Sequence, residues 1–215
     1  MKLTHQQMRL YAVTDRAWAA DEDAFFTQIE AAIDGGAGVV QLREKHASRE
    51  EFLHLAERFV ALCRRRGVVS IINDNVDIAA AVGADGVHVG QEDMAVAEAR
   101  RILGPEKIIG ASAHNREEAL EAQRQGADYL GSGAVFGSST KKDATTLSRE
   151  ELTAVCRAVS IPVAAIGGIT EENCLELAGT GVSGIAVVSA LFAAADKEEA
   201  AARLRALAEK IAERS

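Results

Sequence analysis

Proline is almost missing from this chain. Two prolines in 215 residues, with no low-complexity stretch, leave no candidate linker, so one domain is expected over residues 1–215, with residues 1–8 as a short N-terminal extension. Cysteine is scarce and odd in number. Cys63, Cys156 and Cys174 lie far apart in no metal-ligand spacing, and read as small buried apolar residues in a reducing compartment. An excess of positive charge is also lacking: 24 Lys and Arg face 32 Asp and Glu, a net charge of −8, which argues against a nucleic-acid or anionic-membrane partner. No apolar run reaches membrane-spanning length, and Met1-Lys2-Leu3-Thr4-His5-Gln6-Gln7 carries no apolar signal core, so a cytoplasmic location is expected. What the chain does have is apolar content, 48% of its residues, enough for one sizeable core.

That content is periodic. Short Val- and Ile-rich runs at residues 9–13, 38–42, 68–72, 86–89, 107–111, 129–133, 162–166 and 184–188 alternate with amphipathic stretches of helix length. Continuous apolar runs suit strands covered on both faces. Ser48-Arg49-Glu50-Glu51 and Ser148-Arg149-Glu150-Glu151 read as capping boxes, and Asn115-Arg116-Glu117-Glu118 as the same design with Asn as the cap. Leu204, Leu207 and Ile211 form an apolar stripe suited to core packing. A glycine turn feeding a strand recurs at Gly36-Ala37-Gly38, Gly83-Ala84-Asp85-Gly86, Gly126-Ala127-Asp128 and Gly181-Val182-Ser183-Gly184, with starts 47, 43 and 55 residues apart. Each gap fits two strand-helix units, which numbers these strands two, four, six and eight. The expectation is an α/β fold, a single (β/α)8 TIM barrel, rather than a doubly wound open sheet, whose switch point would place ligand residues on only some strands.

The polar clusters follow the strands. Gln41, Arg43 and Lys45 alternate along one strand end and are expected to project together, a set able to hold a diphosphate; a solvated strand end with salt bridges is the other reading. Asp74 and Asp93 follow adjacent strands, and two carboxylates suit Mg²⁺, although either one alone could cap a turn. His88 is either a packed interior imidazole or a candidate substrate contact. Ser112 ends strand five with a hydroxyl to donate, and His114 reads as a capping or supporting residue. Residues 131–146, rich in Gly, Ser, Thr and Lys, are expected to form a lid carrying Lys141 and Lys142. Gly167-Gly168 and Val188-Ser189 are placed to bind a phosphate through backbone N–H groups. Two anion sites imply two phosphorylated substrates, or one phosphorylated at both ends.

Together, Leu10-Tyr11-Ala12-Val13-Thr14-Asp15, Gln41-x-Arg43-Glu44-Lys45, Asn73-Asp74, Gly86-Val87-His88-Val89-Gly90-Gln91-Glu92-Asp93-Met94, Ser112-Ala113-His114, Thr140-Lys141-Lys142-Asp143-Ala144, Ala165-Ile166-Gly167-Gly168-Ile169 and Val187-Val188-Ser189 resemble the thiamine phosphate synthase family from about residue 9 to residue 192. The resemblance implies a Mg²⁺-assisted transferase that joins hydroxymethylpyrimidine diphosphate to hydroxyethylthiazole phosphate. It assigns Gln41, Arg43, Lys45, Asn73, Ser112 and Lys141 to the pyrimidine diphosphate and Asp74 and Asp93 to the metal. Ser138, Thr140, Gly168, Val188 and Ser189 would meet the thiazole phosphate. It also implies dissociative substitution, in which diphosphate leaves before the thiazole nitrogen attacks, and a homodimer.

The chain departs from the family pattern near Phe136, where Ala134 and Gly137 replace usual prolines, which predicts a more mobile lid, and where Ser138 replaces Thr but keeps the hydroxyl, so binding is expected to survive. Asn75 stands where Arg is common, and its role stays open. Two alternative readings are a thiazole tautomerase-like paralogue, which generally lacks the complete diphosphate and metal set, and a non-catalytic phosphate-binding barrel, which needs no paired carboxylates.

Overall fold

The structure, a computed structural model, describes residues 3–137 and 146–213. Eight parallel strands close into a barrel in sequence order: β1 Leu10–Val13, β2 Val39–Leu42, β3 Val69–Asn73, β4 Gly86–Val89, β5 Ile108–Ala113, β6 Tyr129–Gly133, β7 Val163–Ile166 and β8 Gly184–Val187. Closure is made by β1 against β8, with Leu10 opposite Ile185, Tyr11 opposite Ala186 and Ala12 opposite Val187. The helices are α1 His5–Met8, α2 Glu22–Asp34, α3 Arg49–Arg66, α4 Val76–Val82, α5 Val96–Leu103, α6 Arg116–Arg124, α7 Arg149–Ala158, α8 Ser189–Phe192 and α9 Lys197–Glu213. None of the described helices is long and apolar enough to cross a membrane.

Strand alternation divides the core in two. Side chains such as Leu10, Val40, Ile72, Val87, Ile109, Leu130 and Ile185 face the helices. Tyr11, Val39, Val69, Ile71, Ile108, Tyr129, Ala164 and Ala186 fill the barrel interior. Leu3 and Met8 join the inner set. The N-terminal segment thus packs beneath the barrel rather than trailing from it. Gly38 and Gly184 permit this, because a Cβ at Gly184 would sit 1.9 Å from the Met8 carbonyl oxygen and one at Gly38 only 2.4 Å from that of Gln7.

The repeated glycine turns do precede β2, β4, β6 and β8, with Gly36, Gly83, Gly126 and Gly181 all at positive φ. Beyond the turn, the repeat supplies a polar anchor. Asp85 Oδ2 accepts from the Ser70 amide at 2.9 Å, and Asp128 Oδ2 accepts from the Ile109 amide at 2.8 Å, so each carboxylate ties its strand start to the preceding strand. All three N-caps form, and the reciprocal box is present at one of them. Ser148 forms the reciprocal box with Glu151, and Asn115 Oδ1 accepts from the Glu118 amide. At α3 only half the box exists: Ser48 Oγ accepts from the Glu51 amide, while the Glu51 carboxylate is drawn to Arg16 at 2.8 Å. Between β7 and β8 the crossover is the 3₁₀ turn Cys174–Leu177 instead of an α-helix, hemmed in by Gly167-Gly168 before and Gly179 and Gly181 after. In α9, Leu204 and Ile211 are fully buried and Leu207 packs against the same core.

Gly110, in mid-strand, leaves room for the Tyr129 ring: a Cβ there would fall 2.1 Å from Tyr129 Cζ. Gly110→Ala is therefore expected to destabilise the protein by about 2–3 kcal/mol, lowering the melting temperature by roughly 4–10 °C in a thermal melt. An unchanged melt would mean the interior is slacker than this packing implies.

Candidate active site

All eight strands point the same way, so their C-terminal ends surround one mouth. At the β3 end, Asn73 is followed by Asp74 at φ 62, the one non-glycine residue at positive φ among those described. The turn is held by the Asp74 amide donating to the His88 carbonyl at 2.8 Å and the Asn75 amide donating to the Asn73 carbonyl at 2.7 Å. A left-handed aspartate costs free energy, and such strain collects where a side chain must be aimed. Asn75 then caps α4, its Oδ1 accepting from the Ile78 amide at 2.9 Å; its place in the structure is that of a helix cap.

Asp93 lies beyond β4, with Oδ2 accepting from the Gly90 amide at 2.7 Å. Asp74 and Asp93 meet. Partial burial first, and the neighbouring Asp93 second, push the Asp74 carboxyl up to about 6, against the pull of the Asn73 amide and the Arg43 charge. Two carboxylates pressed together are short of positive charge. No group of three or more His, Cys, Asp and Glu able to hold a metal occurs among the described residues. A pair with no third protein ligand fits Mg²⁺, which fills its remaining positions with water and phosphate oxygens, better than it fits Zn²⁺.

The β2 end departs from the expected three-pronged clamp. The strand stops at Leu42, so simple alternation reaches Gln41 but not Lys45. Gln41 is 5% exposed, and its Nε2 donates to the Tyr11 hydroxyl at 2.8 Å inside the barrel. Arg43 is half-buried, with its amide donating to Thr14 Oγ1 at 3.1 Å, and it acts on Asp74; Lys45 is exposed. Glu44 is largely covered, paired with Arg16 Nε at 3.0 Å, and burial above all raises its carboxyl above the ordinary range.

Beneath the mouth lies a polar layer that crosses the barrel. The Tyr11 and Tyr129 hydroxyls are 2.7 Å apart, Tyr129 Oη is 3.1 Å from His88 Nδ1, and His88 Nε2 is 3.1 Å from Ser112 Oγ. Both ring nitrogens of His88 are thus engaged, as the packed-imidazole reading expects. Burial pushes it down to about 4, the Asp93 charge opposing only in part, so the ring is neutral at pH 7. Ser112, half-buried at the β5 end, carries this layer to the mouth, and Gln91 Nε2 braces it by donating to its carbonyl at 2.6 Å. His114 braces the start of α6, Nδ1 lying 2.9 Å from Glu118. Tyr11 enters the sequence analysis only as part of the family motif, and Tyr129 only as the start of a strand. Their signal was positional: each shares the inward parity of its strand with a residue near the mouth.

On the far side, Gly167 and Gly168 have φ 101 and 63, and a Cβ on Gly168 would lie 2.6 Å from the Phe136 carbonyl oxygen. Val188 and Ser189 form the start of α8, both half-buried. The structure therefore brings Gln41, Arg43, Asn73, Asp74, His88, Asp93 and Ser112 into linked contacts, with Lys45 beside them in sequence, and leaves Gly168, Val188 and Ser189 just beyond the ends of strands seven and eight. Ser138, Thr140 and Lys141 lie outside the described residues.

The profile of the family described as Thiamine monophosphate synthase matches residues 10–191. The chain belongs to the thiamine monophosphate synthase family. It is 52% identical over 200 residues to the thiamine-phosphate synthase of Chloroflexus aurantiacus, covering 93% of this chain and 92% of that one. Identity to the thiamine-phosphate synthase of Methanobrevibacter smithii is 46% over 202 residues, covering 94% and 96%. Among experimental structures, a thiamine phosphate pyrophosphorylase from Pyrococcus furiosus superposes with a TM-score of 0.88 at 40% identity, covering 96% of this chain and 98% of that one.

In this member of the family, the Asp74 shift has a thermodynamic consequence. A carboxyl raised in the folded state contributes stability below its ordinary pKa and loses it as pH rises through about 6, so the metal-free protein carries an unrelieved repulsion at pH 8. Asn keeps the shape and tolerates φ 62. Asp74→Asn should thus gain stability over the wild type as pH is raised from 4 to 8 in EDTA, by about 1 kcal/mol given solvent screening at the exposed mouth. Denaturant titrations at the two pH values check this; a gain that shrinks with rising pH would contradict it.

Proposed function

We propose that the barrel mouth is the active site of a thiamine-phosphate synthase, which joins hydroxymethylpyrimidine diphosphate to hydroxyethylthiazole phosphate and releases diphosphate. One observation carries the assignment of the site: Asp74 and Asp93 touch beside Asn73 and Arg43, in a chain about half identical to curated synthases.

In this reading Asp74 and Asp93 hold Mg²⁺, and Arg43, Lys45, Asn73, Ser112 and Lys141, with Gln41 below them, receive the pyrimidine diphosphate. When bound, the metal offsets charge that gathers on the departing diphosphate. Arg43 lies close enough to act on Asp74, its backbone tied to Thr14, and a cation near developing negative charge lowers the barrier. Gly168, Val188 and Ser189, with Ser138 and Thr140, take the thiazole phosphate, where glycine lets backbone N–H groups approach the anion. The thiazole nitrogen has no proton to lose, so attack needs no base. The one interior histidine supports that view, being neutral and hydrogen-bonded on both sides. Catalysis then rests on leaving-group charge and on holding the two rings in line, with diphosphate departing before the thiazole nitrogen attacks.

The purified chain, given both substrates and Mg²⁺, is expected to form thiamine phosphate, read by chromatography; absence of product would overturn the proposal. Asp93→Asn should lower Mg²⁺-dependent turnover on the order of 100-fold while thiazole phosphate still binds. An equal turnover in EDTA would remove the carboxylate pair from the mechanism.

A further inference from the structure

The polar layer beneath the mouth is a hydrogen-bonded series of five groups drawn from five strands, Gln41 on β2, Tyr11 on β1, Tyr129 on β6, His88 on β4 and Ser112 on β5, with the Gln41 side chain also reaching Tyr129. Neighbouring strands leave space for it. A Cβ on Gly110 would collide with the Tyr129 ring at 2.1 Å, and one on Gly131 would press on His88 Cε1 at 3.1 Å. Tyr11 and Tyr129 are 2% and 0% exposed, so bulk solvent does not reach their hydroxyls. Among the described residues, the Tyr11 hydroxyl has the Gln41 amide and the Tyr129 hydroxyl as partners.

Such a file has few ways to place its protons. A phenol has one proton, and a neutral imidazole has one N–H and one lone pair. If Gln41 donates to Tyr11, the Tyr11 proton must go to Tyr129; otherwise it is buried without an acceptor, at a cost of about 1–3 kcal/mol. The Tyr129 proton then goes to His88 Nδ1, the imidazole carries its hydrogen on Nε2, and that N–H donates to Ser112 Oγ. The Ser112 proton is left to turn towards the mouth. If the group at position 41 could only accept, every one of these bonds would reverse, and Ser112 would spend its proton on the imidazole.

We propose that Tyr11, Tyr129 and His88 are positioning residues that transmit the donor sense of the Gln41 amide across the barrel, so that Ser112 faces the incoming substrate as a hydrogen-bond donor. They act through Ser112 and need not touch substrate. That the acceptor belongs to the pyrimidine diphosphate rests on the function proposed above; the proton order itself does not, because it is a property of the ligand-free protein.

The order is read by NMR of the full-length, ¹⁵N-labelled protein without ligand or metal, using two-bond ¹H–¹⁵N correlations of the imidazoles, with His88→Gln identifying the signal. The wild type is expected to show the Nε2–H tautomer at pH 7. Gln41→Glu, taken to pH 9 with its ionisation confirmed by the carboxyl ¹³C shift, presents an acceptor alone and is expected to switch His88 to Nδ1–H. Adding Tyr129→Phe to Gln41→Glu cuts the file and should abolish the switch. An Nδ1–H tautomer in the wild type overturns the proposal even if the Gln41 and Tyr129 variants do not fold. A His88 tautomer indifferent to an ionised Glu at position 41, or a switch that survives loss of the Tyr129 hydroxyl, overturns it as well. Inactivity of the wild type with both substrates would instead count against the function and leave these spectra unaffected.

Discussion

The pairing of β1 with β8 is the contact on which the rest of the molecule depends. Three register pairs close the ring, and because all eight strands are parallel, closure gathers eight C-terminal ends around one opening. Without it, Arg43 and Asp93 would be parts of separate loops. With it, the chain builds two nested cores, one inside the barrel and one between barrel and helices, and the inner one sets which side chains reach the mouth. Glycine makes that inner core possible. Gly110 yields to Tyr129, and Gly184 yields to the segment that closes the barrel from below.

Polarity rises along the barrel axis. Leu3, Met8, Val39, Val69 and Ile108 belong to the apolar interior, the tyrosine–histidine file adds hydrogen bonds without net charge, and the mouth carries carboxylates and cations. In the proposed function, this ordering is how a protein of net charge −8 would take a diphosphate. The site does not rely on a positive surface; it concentrates Arg43 and a cation-seeking aspartate pair over a neutral, fixed floor. The same floor explains the neutral His88. An imidazolium there would face burial, with a hydroxyl on each ring nitrogen and only the more distant charge of Asp93 to offset it.

Much of this was legible in the residues, and the limits are instructive. Strands were readable because both faces are covered, which forces continuous Val and Ile, and because glycine turns mark each even-numbered strand. Asp74 and Asp93 were readable as a pair since adjacent parallel strands end side by side. The file of Tyr11 and Tyr129 was not, because tyrosine is common in strands and nothing local distinguishes a packed ring from a hydrogen-bonded one. Strand parity does not reach Lys45 for a related reason: it holds only while the strand lasts, and β2 ends at Leu42. The Ser48 box failed because Arg16, distant in sequence, outbid the local backbone for Glu51. The φ of 62 at Asp74 left no trace, since aspartate enters many turn types.

The central claim is that the mouth is built for metal and diphosphate together, each completing the charge the other lacks. Calorimetric titration of the full-length protein with inorganic diphosphate, once in Mg²⁺ and once in EDTA, tests this most directly. Tight binding in Mg²⁺ and at least roughly tenfold weaker binding in EDTA is the predicted result, in keeping with a coupling of 1–3 kcal/mol between linked ligands. Equal affinity in the two buffers would contradict it.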